Sequence, residues 1–113
     1  MQDLTPATIV NTLMSIAKAI EDTTSEIAQL DAVATTARAN LKREYARAFI
    51  NAEGSNDIRR YTAELDTREL NFETEMAEQV LRSARDTIRM LRDRLEVGRS
   101  LSAIMRMEWA NNS

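Results

Sequence analysis

Apolar side chains recur along the first half of the chain at steps of three, four and seven residues, with Thr23 and Glu44 at two positions of the same series. This is heptad spacing, which is typical of a helix that packs against a partner along one line. Thr5 before Pro6 is a favourable helix start. The pattern predicts a first helical arm over residues 6–52. Its inward apolar positions are Leu13, Ile16, Ile20, Ile27, Leu30, Ala34, Ala37, Leu41 and Ala48.

The segment 51–57 contains the strongest turn signal in the chain. Gly54 readily adopts the left-handed conformation that ends a helix. Ser55 is a good N-cap for the next helix. The sequence therefore predicts a turn at residues 53–55 between two helical arms.

The second arm shows repeated steps of four, close to the straight 3.6-residue helical period. The pattern predicts a helix over residues 56–97, which Gly98 kinks or ends, and a C-terminal helical segment over residues 99–110. The predicted inward positions of the second arm are Ile58, Tyr61, Leu65, Phe72, Met76, Val80, Ala84, Ile88, Leu91 and Leu95.

Charge alternates along the chain in blocks, and folding at Gly54 brings blocks of opposite sign together. This favours an all-α fold, a long antiparallel helical hairpin that forms a single domain over residues 1–113. The expected neighbours are Glu21, Asp22 and Glu26 with Arg82, Arg85 and Arg89, and Arg38, Lys42 and Arg43 with Asp66, Glu69 and Glu73.

Two helices alone enclose too little volume to keep an apolar core dry. The apolar residues left over predict self-association into a helical bundle or coiled-coil oligomer. The alternative is a small four-helix bundle, in which the helices break at Gly98 and at Thr23, which forms a capping-box pattern with Glu26. Because the heptads run through both candidate breaks, the oligomer is favoured.

Composition argues against catalysis. The chain has no His and no Cys, and its two glycines are isolated. The usual nucleophiles, transition-metal ligands and phosphate loops are therefore missing, and we expect no enzyme, cofactor or metal site. Neither a signal sequence nor an apolar run of about 20 residues is found, which predicts a cytoplasmic protein without membrane contact.

Four arginines, Arg85, Arg92, Arg99 and Arg106, follow one another at steps of seven residues, with Arg89 nearby. This spacing places the four on one helical stripe, which is suited to phosphate groups. The other interpretation is that the stripe pairs with the acidic first arm or with another subunit. The candidate oligomer or partner contacts are Leu101, Ile104, Met105 and Trp109.

A resemblance rests on five stretches: Glu44-Tyr45-Ala46-Arg47-Ala48-Phe49, Ala52-Glu53-Gly54-Ser55, Ile88-Arg89-Met90-Leu91-Arg92, Val97-Gly98-Arg99-Ser100-Leu101, and Arg106 with Glu108-Trp109. In these stretches the chain resembles small helical proteins of tailed bacteriophages and prophages. The order of its parts is also similar to that of UvsY-type phage recombination mediators.

The resemblance implies a homo-oligomer that binds single-stranded DNA and assists a recombinase. It also implies that Lys42, Arg43, Arg99 and Arg106 lie near DNA. The competing hypothesis is a helical interaction module, an inhibitor or adaptor of a host or phage protein. Such a module would use residues 101–109 as a helix-in-groove ligand and would not bind nucleic acid.

Overall fold

The computed structural model describes residues 4–112, and every regular element within that range is helical. Helix α1 spans Pro6–Asn51, α2 spans Asn56–Asp66 and α3 spans Arg68–Asn112. The predicted all-α helical hairpin is confirmed.

Helix α1 begins as predicted and is unbroken. The Thr8 amide donates a hydrogen bond to Thr5 Oγ1 at 3.2 Å, and Pro6 is the first helical residue. The alternative break at Thr23 does not occur. The hydroxyl of the neighbouring Thr24 instead donates to the Ile20 carbonyl at 2.7 Å, within the helix.

The predicted turn is also confirmed. Gly54 has φ +112°, a conformation that side chains with a Cβ rarely adopt. Ser55 is the N-cap of α2, and its side chain accepts a hydrogen bond from the Ile58 amide at 3.3 Å.

The second arm is interrupted at Thr67 rather than at Gly98. Hydrogen bonds of α-helical spacing still cross Thr67. The Thr67 amide donates to the Ala63 carbonyl at 3.1 Å, and the Asn71 amide donates to the Thr67 carbonyl at 2.9 Å. The interruption is therefore a local distortion of one turn. Helix α3 continues through Gly98 to Asn112 without a break.

The contacts divide the chain into two compact units. Unit A contains the described residues 4–26 and 84–112, and unit B contains residues 27–83. In each unit one row of α1 side chains faces the second arm, and we call these facing positions the seam. Every predicted inward position of α1 is buried or half-buried, including Thr23 and Glu44. The α1 seam prediction is therefore confirmed.

The seam of the second arm differs from the prediction. Six residues expected to point inward are instead exposed: Ile58, Tyr61, Leu65, Phe72, Met76 and Val80. Apart from the half-buried Arg59, Thr62 and Glu78, the buried or half-buried positions alternate at steps of four and three, which is the 3.5-residue period of a coiled coil. They are Ala63, Thr67, Leu70, Thr74, Ala77 and Leu81 in unit B, then Ala84, Ile88, Leu91, Leu95, Gly98, Ser102 and Met105 in unit A.

Small side chains allow the helices of unit B to approach closely, which explains the difference. Ala34 and Ala63 are completely buried. The Thr74 hydroxyl lies 2.8 Å from the Leu70 carbonyl of its own helix and 3.2 Å from the Ala37 carbonyl of α1, and it donates to both. The prediction followed the larger apolar residues, but this seam is built from Ala and Thr.

Of the expected charge pairs in unit B, one arginine does bridge the two arms, but with a different acid from the one predicted. In unit B, Arg38 Nε lies 3.1 Å from Glu78 Oε1 across the helix pair. The expected partners of Arg38 were acids nearer the turn, so the register between the arms is shifted. Arg43 pairs with Glu44 of its own helix at 3.8 Å.

Candidate nucleic-acid and partner-binding surfaces

The four arginines Arg85, Arg92, Arg99 and Arg106 form one row along α3 in unit A, which we call the arginine row. Each of them comes one residue after a seam position, and the first three also come three residues before the next, so the row runs along one edge of the seam. All four are exposed. Successive members are separated by about 10 Å along the helix.

The helix opposite offers no counter-charge to three members of this row, Arg92, Arg99 and Arg106. In an antiparallel helix pair the edge row of one helix faces the equivalent row of the other. The bridge from Arg38 to Glu78 follows this rule in unit B. In unit A the equivalent α1 positions are Val10, Ala17 and Thr24, none of which is acidic.

The salt bridges of unit A are consistent with the absence of acids opposite Arg92, Arg99 and Arg106. Within residues 4–112, Arg85, Arg92 and Arg106 make no salt bridge. Arg99 Nη1 lies 3.0 Å from Glu96 Oε1 on the same helix, with both side chains well exposed. An exposed pair of this kind is worth less than about 1 kcal/mol and yields readily to a competing phosphate.

The other predicted cations are less available or lie in the other unit. Arg89 pairs with Asp86 at 3.6 Å on the outside of α3. Lys42 and Arg43 belong to α1 in unit B and are exposed. Arg43 also donates to Asn40 Oδ1 at 2.6 Å.

Three of the four predicted partner contacts are exposed, namely Leu101, Ile104 and Trp109, and Trp109 has 78% of its surface accessible. Met105 is half-buried in the seam. Nearby, an open apolar groove of about 480 Å³ runs between the start of α1 and α3, a feature that sequence reasoning missed. Its lining includes Leu4, Ile9, Leu13, Met90, Val97 and Leu101.

Unit B carries a second apolar surface, which was also missed because its residues were expected to point inward. Leu65 lies two residues from Ala63 and from Thr67, and Phe72 lies two residues from Leu70 and from Thr74. Two residues turn a helix by about 200°, so both side chains point directly away from the seam. We call the set Ile58, Tyr61, Leu65, Phe72 and Met76 the outer stripe. The sequence signal was the seven-residue spacing of Ile58, Leu65 and Phe72 beside a parallel row of Ala and Thr.

Metal-binding and membrane-spanning features are both absent from the described part of the chain. Residues 4–112 contain no cluster of acidic side chains arranged to hold a metal ion. No helix in the same range combines the length and apolar character that crossing a membrane requires.

These features define an all-α helical hairpin with an exposed basic row in unit A and an exposed apolar stripe in unit B. A comparison with known proteins finds no matching family model, curated protein or solved structure.

Proposed function

We propose that the chain is a non-enzymatic accessory protein of phage-type DNA recombination or replication. It binds single-stranded DNA through the arginine row, acts as a homo-oligomer and works with a recombinase in the cytoplasm of the host cell. The resemblance to UvsY-type mediators supports the biological setting.

The observation that carries this proposal is the lack of counter-charge opposite Arg92, Arg99 and Arg106. The chain as a whole is acidic, with a net charge of -3, so free arginines are not a by-product of composition. Lysines or arginines that serve only stability are normally placed opposite acids, as Arg38 is placed opposite Glu78. Arg92 and Arg106 are instead left facing Thr24 and Val10.

The chemistry of the row suits a phosphate backbone. Each guanidinium can donate two parallel hydrogen bonds to one phosphate. A single strand is flexible enough to follow a straight row of charges, and exposed aromatic side chains add stacking with bases. Trp109, one turn beyond Arg106, is such a side chain.

Fluorescence anisotropy of a labelled single-stranded oligonucleotide, measured at several salt concentrations, tests the proposal. We expect the double variant Arg92→Ala with Arg99→Ala to bind more weakly. We also expect the slope of log affinity against log salt to fall by about 1.4, or 0.7 for each phosphate that is no longer neutralised. The matched control is Arg47→Ala with Arg60→Ala, which removes the same charge from exposed positions of unit B. Equal effects of the two double variants would refute the arginine row as the DNA site.

A second candidate function is a protein-interaction module, an inhibitor or adaptor of a host or phage protein. The exposure of Leu101, Ile104 and Trp109 on one terminal segment favours it. Its test is Trp109→Ala in a pull-down from infected cells, with helicity checked by circular dichroism. Retention of every captured protein by the variant would exclude this use of Trp109.

A further inference from the structure

We propose that the outer stripe of one copy is covered by the C-terminal part of α3 from a second copy, with the two helix segments antiparallel. The surface on the second copy is the row Met90, Val97 and Ile104, which we call the C-terminal apolar row. This inference does not rest on the proposed DNA binding.

The outer stripe is a large apolar surface for a single copy. Ile58, Leu65 and Phe72 are 55%, 68% and 60% exposed, on the face that points away from α1. Side chains of this size expose roughly 100 Å² each, so the five members of the stripe expose about 500 Å², near the upper limit for a monomer surface. The larger apolar residues of this unit therefore lie outside, while Ala and Thr fill its seam.

Charge identifies the occupant. The segment 57–78 that carries the stripe has seven acidic residues and three arginines. Pairing two copies of this segment with each other would oppose acid with acid. Residues 84–106 carry six arginines against three acids, so this part of α3 has the opposite net charge. Four of the six form the arginine row on another face, so they contribute long-range attraction to the acidic segment of another copy rather than direct contacts.

The seven-residue spacing of the apolar residues also favours the C-terminal part of α3 as the occupant. The C-terminal apolar row repeats every seven residues, as Ile58, Leu65 and Phe72 do. Its members Met90, Val97 and Ile104 are exposed. An antiparallel arrangement therefore brings three pairs together at one register: Ile58 with Ile104, Leu65 with Val97, and Phe72 with Met90.

Neighbouring residues favour the antiparallel direction. At this register Tyr61 meets Leu101, Glu73 meets Arg89, and Arg68 lies close to Asp93. The parallel arrangement of the same rows would instead place Tyr61 beside Asp93. The antiparallel direction therefore gives Tyr61 an apolar neighbour and Arg68 an acidic one.

The interface and the arginine row use different faces of α3. Each arginine of the row directly follows a seam residue, whereas Met90, Val97 and Ile104 each directly precede one. A variant of the outer stripe is therefore expected to weaken self-association, and a variant of the arginine row is expected to weaken DNA binding. The two losses can be measured separately.

The first test is light scattering after size-exclusion chromatography, over a wide range of protein concentrations. We expect the unmodified chain to self-associate and Phe72→Glu to weaken the association about tenfold or more. Ile50→Glu is the matched control, because Ile50 is also an exposed apolar residue of unit B but lies outside the stripe. Circular dichroism confirms that each variant is still helical. A monomeric wild-type chain, or equal effects of the two variants, would overturn the proposal.

The second test fixes the direction and uses the absence of natural cysteines. A copy with Ile58→Cys, carrying a size tag, is mixed with an untagged copy carrying either Ile104→Cys or Met90→Cys, and is then oxidised gently. The antiparallel register predicts a mixed disulfide with Ile104→Cys. A mixed disulfide that forms preferentially with Met90→Cys would establish the parallel arrangement, and no mixed disulfide with either variant would place the second copy elsewhere.

Discussion

Replacing Ala34 by Leu tests whether the small residues of unit B determine how closely its helices approach. Ala34 is completely buried in the seam of α1. One turn further along, the Thr74 hydroxyl reaches the Ala37 carbonyl at 3.2 Å, so side chain and backbone are in direct contact there. A leucine at position 34 adds three carbon atoms to a side chain that has no exposed surface.

The size of the effect follows from this crowding. Overpacking a tight contact costs about 1–3 kcal/mol, and Ala and Leu have nearly the same helix propensity, so the propensity term cancels. For a domain of this size each kcal/mol lowers the melting temperature by about 4–8 °C. The matched control is Ala32→Leu, which adds the same atoms to an exposed position two residues earlier and is expected to stay within about 0.5 kcal/mol of wild type.

Urea and thermal unfolding, followed by circular dichroism at one fixed protein concentration, measure the difference. The concentration must be fixed because the proposed self-association would add to apparent stability. An Ala34→Leu variant that is as stable as Ala32→Leu would show that the helices of unit B are not held at close range by small side chains. The explanation for the shifted seam of the second arm would then fail.

Two further substitutions test the turn and the seam. Gly54→Ala is expected to cost about 1–2 kcal/mol, since φ is +112° and the new Cβ would lie 3.2 Å from Ile58 Cγ2; an unchanged unfolding midpoint would refute the turn geometry. Thr74→Val is expected to cost about 1 kcal/mol because it removes the hydrogen bond to Ala37, whereas Thr62→Val removes only a bond within its own helix; equal midpoints for the two variants would count against an inter-helix role for Thr74.

Sequence reasoning was accurate where large side chains mark the seam. The first arm uses Ile and Leu at most seam positions, so its heptads could be followed from Leu13 to Ala48. The turn at Gly54 and Ser55 was equally clear, because left-handed backbone and N-capping have specific residue requirements.

The second arm was harder for a physical reason. Two apolar rows run along its first half, and the row with larger side chains is the one that faces outward. Periodicity identifies apolar rows but does not say which of them contacts the partner helix. Close packing favoured the smaller row, with Ala63 and Thr74 in the seam and Phe72 outside.

The same limit applied to the arginine row. Its seven-residue spacing was visible in the sequence, whereas its lack of counter-charge depends on the register between the two arms. Seam contacts such as that of Thr74 with Ala37 set this register. At this register Arg38 pairs with Glu78.

The small-residue seam of unit B has a consequence for folding. Alanine buries far less apolar area than leucine, so contacts such as those of Ala34 and Ala63 stabilise unit B less than Ile88 and Leu91 stabilise unit A. We therefore expect backbone amides of α2 to exchange with solvent hydrogen sooner than those near Leu91 when the protein is dilute. If the proposed association covers the outer stripe, protection of α2 will rise with protein concentration, so that a second copy would stabilise the less stable of the two units.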